Sequence, residues 1–318
     1  MPLNKSLEVI SKDTYEEIHQ ASLKILKETG IQFHCPEALE MFKSNGAKVE
    51  GETVMITSKM VDDALATCPK SFTWTARNAK HNVTVGDGFL VQPNVGPVYI
   101  KDLDNGRRKA GLEDYANVIK LCHAAELVHL NGTIPVDPND VDSDAKHLHM
   151  MFEILKNTDK PIIGFCFEGE KVRQDFEMVS MAFGGKDFLE TNHCVGVLVN
   201  PLTPLGYASE TVETIVEYAK RNQIILIAPC IMAGISGPIS LLGTAVLQNV
   251  GLLAGIVLAQ MTRPGAPVVY ATASTTGYMK TGAFAAGTPE AMLINTPNIQ
   301  MGNDYYNLPT RTMCGITH

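Results

Sequence analysis

The stretch QIILIAPCIMAGISGPISLLGTAVLQNVGLLAGIVLAQMTRPGAPVVYATA, residues 223–273, decides the architecture. An apolar run at 223–230 leads through a glycine-rich loop into a long apolar segment at 239–262, and a second apolar run follows at 267–273. Short apolar runs without alternation suit strands buried on both faces, and the longer segment between them suits a helix. Strand, helix and strand in that order form a parallel βαβ unit. No charged residue occurs from Asn222 to Thr262. Membrane-spanning helices need about 20 apolar residues each. Pro229, Pro238, several glycines, Gln248, Asn249 and Gln260 interrupt this stretch, and basic anchors beside it are few. A buried strand, a loop and a buried helix are therefore expected, with no membrane insertion.

The same rhythm extends outward. Strand-like runs fall at 89–100, 128–135, 161–167, 193–200, 223–230, 267–273 and 309–316, with helical stretches at 112–126, 140–157, 170–183, 209–221, 239–262 and 288–306. In SETVETIVEYAKRN (209–222), Ser209 is placed to cap while Glu210 and Glu213 favour the positive end of the helix dipole. In TPEAMLI (288–294), Thr288 caps and Pro289 occupies the first turn. No GxGxxG or P-loop follows the first run, QPNVGPVYIKD, which argues against a nucleotide fingerprint, although a doubly wound sheet stays open. Seven strands and six helices approach the eight-stranded parallel barrel. The expected fold is α/β: a TIM (β/α)8 barrel over residues 89–318, cut short after its seventh strand. Residues 1–88 form an N-terminal α+β cap, with helices at 13–29 (behind an Asp cap), 36–45 and 58–67 and exposed strands at 71–88.

Composition narrows the function. Hydrophobic residues make up 45% of the 318 and charged residues 19%, a soluble balance. A net charge of -8 argues against nucleic acid or an acidic membrane as partner. The one compact basic cluster, NGRRKAG (105–111), reads as a solvated turn. Seven dispersed cysteines, an odd number, suit a reducing cytoplasm, and the N-terminus lacks the apolar core of a signal peptide.

In a barrel, chemistry sits at the C-terminal ends of the strands. Those positions carry Asn94, Tyr99, Asn131, Thr133, Phe165, Phe167, Asn200, Tyr207, Met232, Ser274 to Tyr278 and Arg311 to His318. They are poor in carboxylates and rich in aromatics, amides and hydroxyls, unlike a hydrolase or a proton-abstracting enzyme. Cys–His neighbours at 34–35, 122–123 and 193–194, with His147 and His149, lack chelating spacings, so no metal site is expected. GISGPIS (234–240) is not a nucleophile elbow. Aromatic faces attract cations, so Tyr99, Phe165, Phe167, Tyr207 and Tyr278 are candidates for a quaternary-ammonium cage. Arg311 is a candidate carboxylate partner.

The blocks GISGPISLLGTAVLQNVGLLAGIVLAQMTRPGAPVVYATAST (234–275), TGAFAAGTPEAMLI (281–294) and YYNLPTRTMCGITH (305–318) resemble the trimethylamine methyltransferase superfamily. GPVYIKDLDNGRRKAGLEDYANVIKLCHA (96–124) and VNPLTPLGY (199–207) are similar to it as well. The resemblance covers essentially the whole chain and implies a TIM-barrel enzyme that methylates the cobalt of a corrinoid protein. The family's trimethylamine branch carries pyrrolysine in the loop after its YxLP strand; laid on that pattern, Ile316 falls near the pyrrolysine position and Thr317 and His318 follow. An aliphatic residue there resembles the non-pyrrolysine branch, which demethylates quaternary amines such as glycine betaine, proline betaine and carnitine. The implied activity is transfer of an N-methyl group from a quaternary amine to Co(I), releasing a tertiary amine. Alternatives are a tertiary methylamine donor or a non-catalytic betaine-binding scaffold. The residues expected to serve it are Ile316 and His318 near the methyl, and Asn94, Tyr99, Phe165, Phe167, Asn200, Tyr207 and Arg311 around the substrate. The resemblance further implies a cobalamin-type corrinoid carried by the cognate partner protein, no cofactor bound directly, and a homo-oligomer in the cytoplasm.

Overall fold

A computed structural model describes residues 8–313 of the chain. The chain divides into two compact units, the first built from residues 1–70, 199–216 and 226–318 and the second from 71–198 and 217–225. The principal strands are β1 (Asn131–Gly132), β2 (Ile162–Ile163), β3 (Val195–Val199), β4 (Ile224–Ile227), β5 (Val268–Thr272) and β6 (Thr310–Thr312). The principal helices are α1 (Lys12–Glu28), α2 (Leu112–Ala124), α3 (Lys146–Asn157), α4 (Gly169–Phe183), α5 (Ser209–Lys220), α6 (Leu241–Thr262) and α7 (Pro289–Gln300). Strand order in the second unit is β1-β2-β3-β4 and in the first β4-β5-β6, with β4 divided after Ile225. The pairs β1–β2, β2–β3 and β5–β6 are parallel. Doubly wound sheets reverse their order at a switch point. Here each strand neighbours the next in sequence, which removes the doubly wound alternative.

The run at 89–100 is not a strand of this sheet, contrary to expectation. Residues 89–98 have no regular structure, and Tyr99–Asp102 pairs antiparallel with Gly106–Lys109 in a separate hairpin. Pro93 and Pro97 lack the N–H that a ladder needs, and Gly96 sits at φ 103°, outside the strand region. Six of the seven expected runs contribute strands.

In the first unit, α6 is the centre of the core. Ser240 caps it by accepting the Gly243 N–H at 2.9 Å, and every residue from Gln248 to Gln260 is buried. The helix is thus apolar on all sides because all sides are covered. By length and composition it could cross a membrane, yet 67% of its most apolar window is buried against the rest of the fold. Helix α1, the helix Ser58–Thr67 and α7 pack on it. Each buried Leu, Ile or Val there contributes about 1.5–3 kcal/mol. Two caps differ in their agreement with sequence. Thr288 caps α7 with Pro289 in the first turn, as expected, whereas α1 is capped by Ser11, not by Asp13, which lies in its first turn. The expected helix at 288–306 ends as α7 and continues as a π-turn, Met301–Tyr305, beyond Pro297.

In the second unit, Trp74, Tyr115, Ile119, Met150 and Met151 are fully buried. The basic cluster is hairpin strand, not open turn. Arg108 makes a two-pronged bond to Asp114 at 2.5 and 2.7 Å, and Asp114 also accepts the Gly111 N–H at the start of α2. A planar guanidinium matches a carboxylate in this way.

Candidate active site

In the first unit, the loops after β4 and β5 form a small sheet: Met232–Ala233 pairs parallel with Thr275–Tyr278, which pairs antiparallel with Ala283–Ala285. A buried polar network fixes its base. Thr272 Oγ1 lies between Gln248 and Asn295 and donates to Asn295 Oδ1 at 2.6 Å; Asn295 Nδ2 donates to the Ser274 carbonyl at 2.9 Å. Ser274 Oγ accepts the Ile231 N–H at 2.9 Å and donates to the Pro229 carbonyl at 3.2 Å. The ends of β4 and β5 and the face of α7 are therefore held in one register. Apart from Gln248 Nε2, which has no partner among the described residues, the network is satisfied and makes a rigid base. Of these residues Ser274 was expected at a strand end, while Thr272, Gln248 and Asn295 were not; their signal was an amide or hydroxyl inside an otherwise apolar run.

The expected site residues of this unit fall differently. Asn200 is exposed and donates Nδ2 to the Ala228 carbonyl at 2.5 Å, joining the end of β3 to that of β4. Arg311 lies in β6 opposite Ala271 of β5 and is half-buried. Tyr207 is a correction. It is fully buried, stacks on Phe33 with ring centroids 5.1 Å apart, and donates its hydroxyl to the Gly251 carbonyl at 2.7 Å. A ring so covered has no face for a ligand. Ile316 and His318 lie outside the described residues.

In the second unit, Phe165 and Phe167 follow β2 and come together, with centroids 5.9 Å apart; Phe165 is 3% exposed, its ring covered like that of Tyr207, while Phe167 is half-buried. His147 meets Phe167 edge-on at 6.0 Å, and Lys171 Nζ stands 5.8 Å over the Phe167 ring. Tyr99 carries Arg107 over its ring at 4.2 Å, so that face already holds a cation. Asn94 is exposed in the irregular segment before the hairpin. Beside β1, Thr133 takes φ 57°, a costly conformation for a β-branched residue. Its N–H donates to the Ile163 carbonyl at 2.6 Å and its carbonyl accepts the Tyr115 hydroxyl at 2.7 Å, which together hold the turn.

One titratable group was missed. Asp175 of α4 is 4% exposed, neither carboxyl oxygen has a hydrogen-bond partner among the described residues, and burial pushes its pKa up to about 8. It lies within electrostatic reach of the buried Tyr115 and Tyr218 hydroxyls. At neutral pH it is mostly a neutral acid. Burial pushes the Cys68 and Cys194 thiols up to about 12, away from a reactive thiolate. Among the described residues no group of three His, Cys, Asp or Glu side chains is arranged to hold a metal.

The pattern of the trimethylamine methyltransferase (MTTB) family matches residues 3–318. The chain belongs to that family. Glycine betaine methyltransferase of Desulfitobacterium hafniense (strain Y51) is 38% identical over 309 residues, covering 97% of this chain and 64% of that protein. Proline betaine:corrinoid methyltransferase of Eubacterium limosum is 33% identical over 316 residues, covering 95% and 64%. Trimethylamine methyltransferase of Desulfitobacterium hafniense (strain DSM 10664 / DCB-2) is 30% identical over 299 residues, covering 92% and 60%. The chain thus spans somewhat under two thirds of the length of these family members. Monomethylamine methyltransferase of Methanosarcina barkeri superposes with a TM-score of 0.61 at 12% identity, covering 96% of this chain and 62% of that one. That likeness speaks to the fold: a mixed α/β fold around a parallel sheet.

Proposed function

We propose that the chain serves a methyltransferase that moves an N-methyl group from a quaternary amine of the glycine betaine kind to the Co(I) of a cognate corrinoid protein. The observation that carries this reading is the 38% identity to glycine betaine methyltransferase over 97% of the chain, against 30% over 92% for a trimethylamine enzyme of the same species. A quaternary ammonium needs no proton to leave. The C–N bond breaks, its electron pair becomes the lone pair of the tertiary amine, and the methyl carbon accepts the electron pair of Co(I), giving methyl-Co(III). The protein then has to position the amine, exclude water and recognise a cation.

In the second unit, Phe167 supplies a ring face for that cation, backed by the buried Phe165, with Tyr99 and Asn94 as further contacts. In the first, Arg311 recognises a carboxylate and Asn200 adds a polar contact. Ile316 and His318 stand near the transferred methyl. The corrinoid is a co-substrate carried by the partner, and the work takes place in the cytoplasm, a location supported by the dispersed cysteines. The singly wound order of the six strands supports reading them as neighbouring staves of a TIM (β/α)8 barrel from residue 89 on, with residues 1–88 as cap.

The test mixes the protein with reduced corrinoid protein and a panel of amines, and follows the absorbance of methyl-cobalt. Glycine betaine or another betaine is expected to give methylation and trimethylamine none. Turnover of trimethylamine alone, or no methylation with any quaternary amine, overturns the reading.

A further inference from the structure

The second unit holds a cavity of about 470 Å³ beside the segments that lead into β1 and β2, at the strand ends opposite those followed by Thr133 and Phe165. Lys80, His81, Asn82, His123, Glu126 and His129 line it, with Lys160 at its base. Hydrogen-bond accounting shows which of these groups are committed. His129 Nδ1 accepts the Val91 N–H at 3.1 Å, so the ring's proton is on Nε2. Asn82 Oδ1 accepts the Ala76 N–H at 2.8 Å, which leaves its NH2 as the uncommitted end. Lys80 makes no hydrogen bond or ion pair through its ammonium among the described residues, and it lies within electrostatic reach of Asp159.

The negative end of the nearby helix is matched. Lys160 Nζ donates to the carbonyls of Cys122, Ala125 and Val128 at 3.0, 2.8 and 2.6 Å, covering the C-terminal end of α2, whose dipole would otherwise repel an anion. Asp159 accepts from Asn78 Nδ2 at 2.9 Å, and its other oxygen faces His81 Nε2 at 3.4 Å and His123 Nδ1 at 3.7 Å. Glu126 is the remaining carboxylate in the lining.

We propose that this cavity is a binding site for a small organic anion, whose carboxylate or phosphate group is held by Lys80 Nζ, the Asn82 amide NH2 and His129 Nε2–H. Three donors, none with an acceptor among the described residues, line a space larger than a bare ion requires, and Lys160 covers the helix end that would oppose an anion; Asp159 keeps its charge, since the histidines facing it offset it only when protonated. The site is separate from the aromatic residues after β2 and does not depend on the methyl-transfer reading.

The experiment titrates the intact protein with inorganic phosphate and, separately, with succinate, and follows the imidazole resonances of His81, His123 and His129 by NMR. Saturable shifts led by His129 are expected with at least one probe, and the stronger probe identifies the anionic group. Lys80→Ala is expected to weaken binding about tenfold or more, the loss of one charge-assisted bond. Glu126→Gln is expected to tighten it severalfold. Both positions line the cavity mouth, and circular dichroism checks that the fold is kept. Absence of a saturable shift with both probes, or equal affinity in Lys80→Ala and the parent, overturns the proposal.

Discussion

Tyr207 and Phe33 lie face to face, their planes 5° from parallel, and the Tyr207 hydroxyl reaches across to the backbone of α6 at Gly251. This arrangement makes Tyr207 a packing residue. Tyr207→Phe keeps the stack and leaves the Gly251 carbonyl short of one donor, so it should cost about 1 kcal/mol in urea unfolding. Affinity for a quaternary amine, read by calorimetry, should be unchanged. A large loss of affinity with intact stability would return Tyr207 to the site.

Gly255 of α6 leaves the room that the Tyr207 ring end occupies. A methyl there would overlap the Tyr207 hydroxyl and come within 2.9 Å of Ile227 Cδ1. Alanine improves helix propensity by about 1 kcal/mol, but overpacking a tight core costs about 1–3 kcal/mol, so the clash should win. Gly255→Ala is expected to lower Tm, and adding Tyr207→Phe should recover part of the loss through positive coupling between touching sites.

Asp175 should give the stability of the protein a recognisable pH dependence. Its pKa is about 8 when folded against an ordinary 3.8, so the folded state keeps a proton that the unfolded chain releases between these values. Stability from this group falls by about 1.4 kcal/mol per pH unit across that window and is flat outside it. Asp175→Asn removes the titration. The gap in urea midpoint between variant and parent should widen from pH 5 to pH 8 in favour of the variant, then level off. A constant gap would mean that Asp175 is ionised in the fold.

Asn249 ties three elements of the first unit together. Its Nδ2 donates to Ser22 and Tyr306, both at 2.9 Å, and its Oδ1 accepts from Tyr270 at 2.8 Å. Ser22 keeps the Ile18 carbonyl and Tyr306 keeps His19 if Asn249 is lost, whereas Tyr270 keeps, among the described residues, only Asn298 at 3.5 Å. Asn249→Leu should therefore cost about 2 kcal/mol, near the middle of the range for one stranded buried hydroxyl. Adding Tyr270→Phe should be less than additive.

Arg107 and Tyr99 offer a test of the ring face itself. If Tyr99 helps to bind a quaternary ammonium, Arg107 competes for it, and Arg107→Ala should lower KM severalfold with kcat unchanged. An unchanged or raised KM would remove Tyr99 from the proposed contacts.

The alternation of strands and helices was legible because apolar runs without charge have few places to go except a covered parallel sheet. The stretch at 89–100 misled because its apolar content outweighed Pro93 and Pro97, the residues that keep it out of the ladder. Tyr207 misled for another reason: its partner, Phe33, lies far away in sequence, and position after a strand does not reveal which way a ring turns. Asp175 was within reach. It falls on the same stripe of α4 as Val172 and Val179, all three buried, and a carboxylate on an inward stripe is a signal that periodicity exposes. Thr272, Gln248 and Asn295 show the same rule for uncharged polar groups.

Helix α6 has a consequence before the protein is folded. During synthesis it emerges as a segment that hydropathy alone would mark for a lipid bilayer, since its partners α7 and β5 have yet to be made. Gln248, Asn249 and Gln260 raise the free energy of insertion at that moment, before Thr272, Tyr270, Tyr306 and Ala266, which they later bond, have been made. The amides that later lock the interior thus also serve as the segment's address, directing it back towards its own chain.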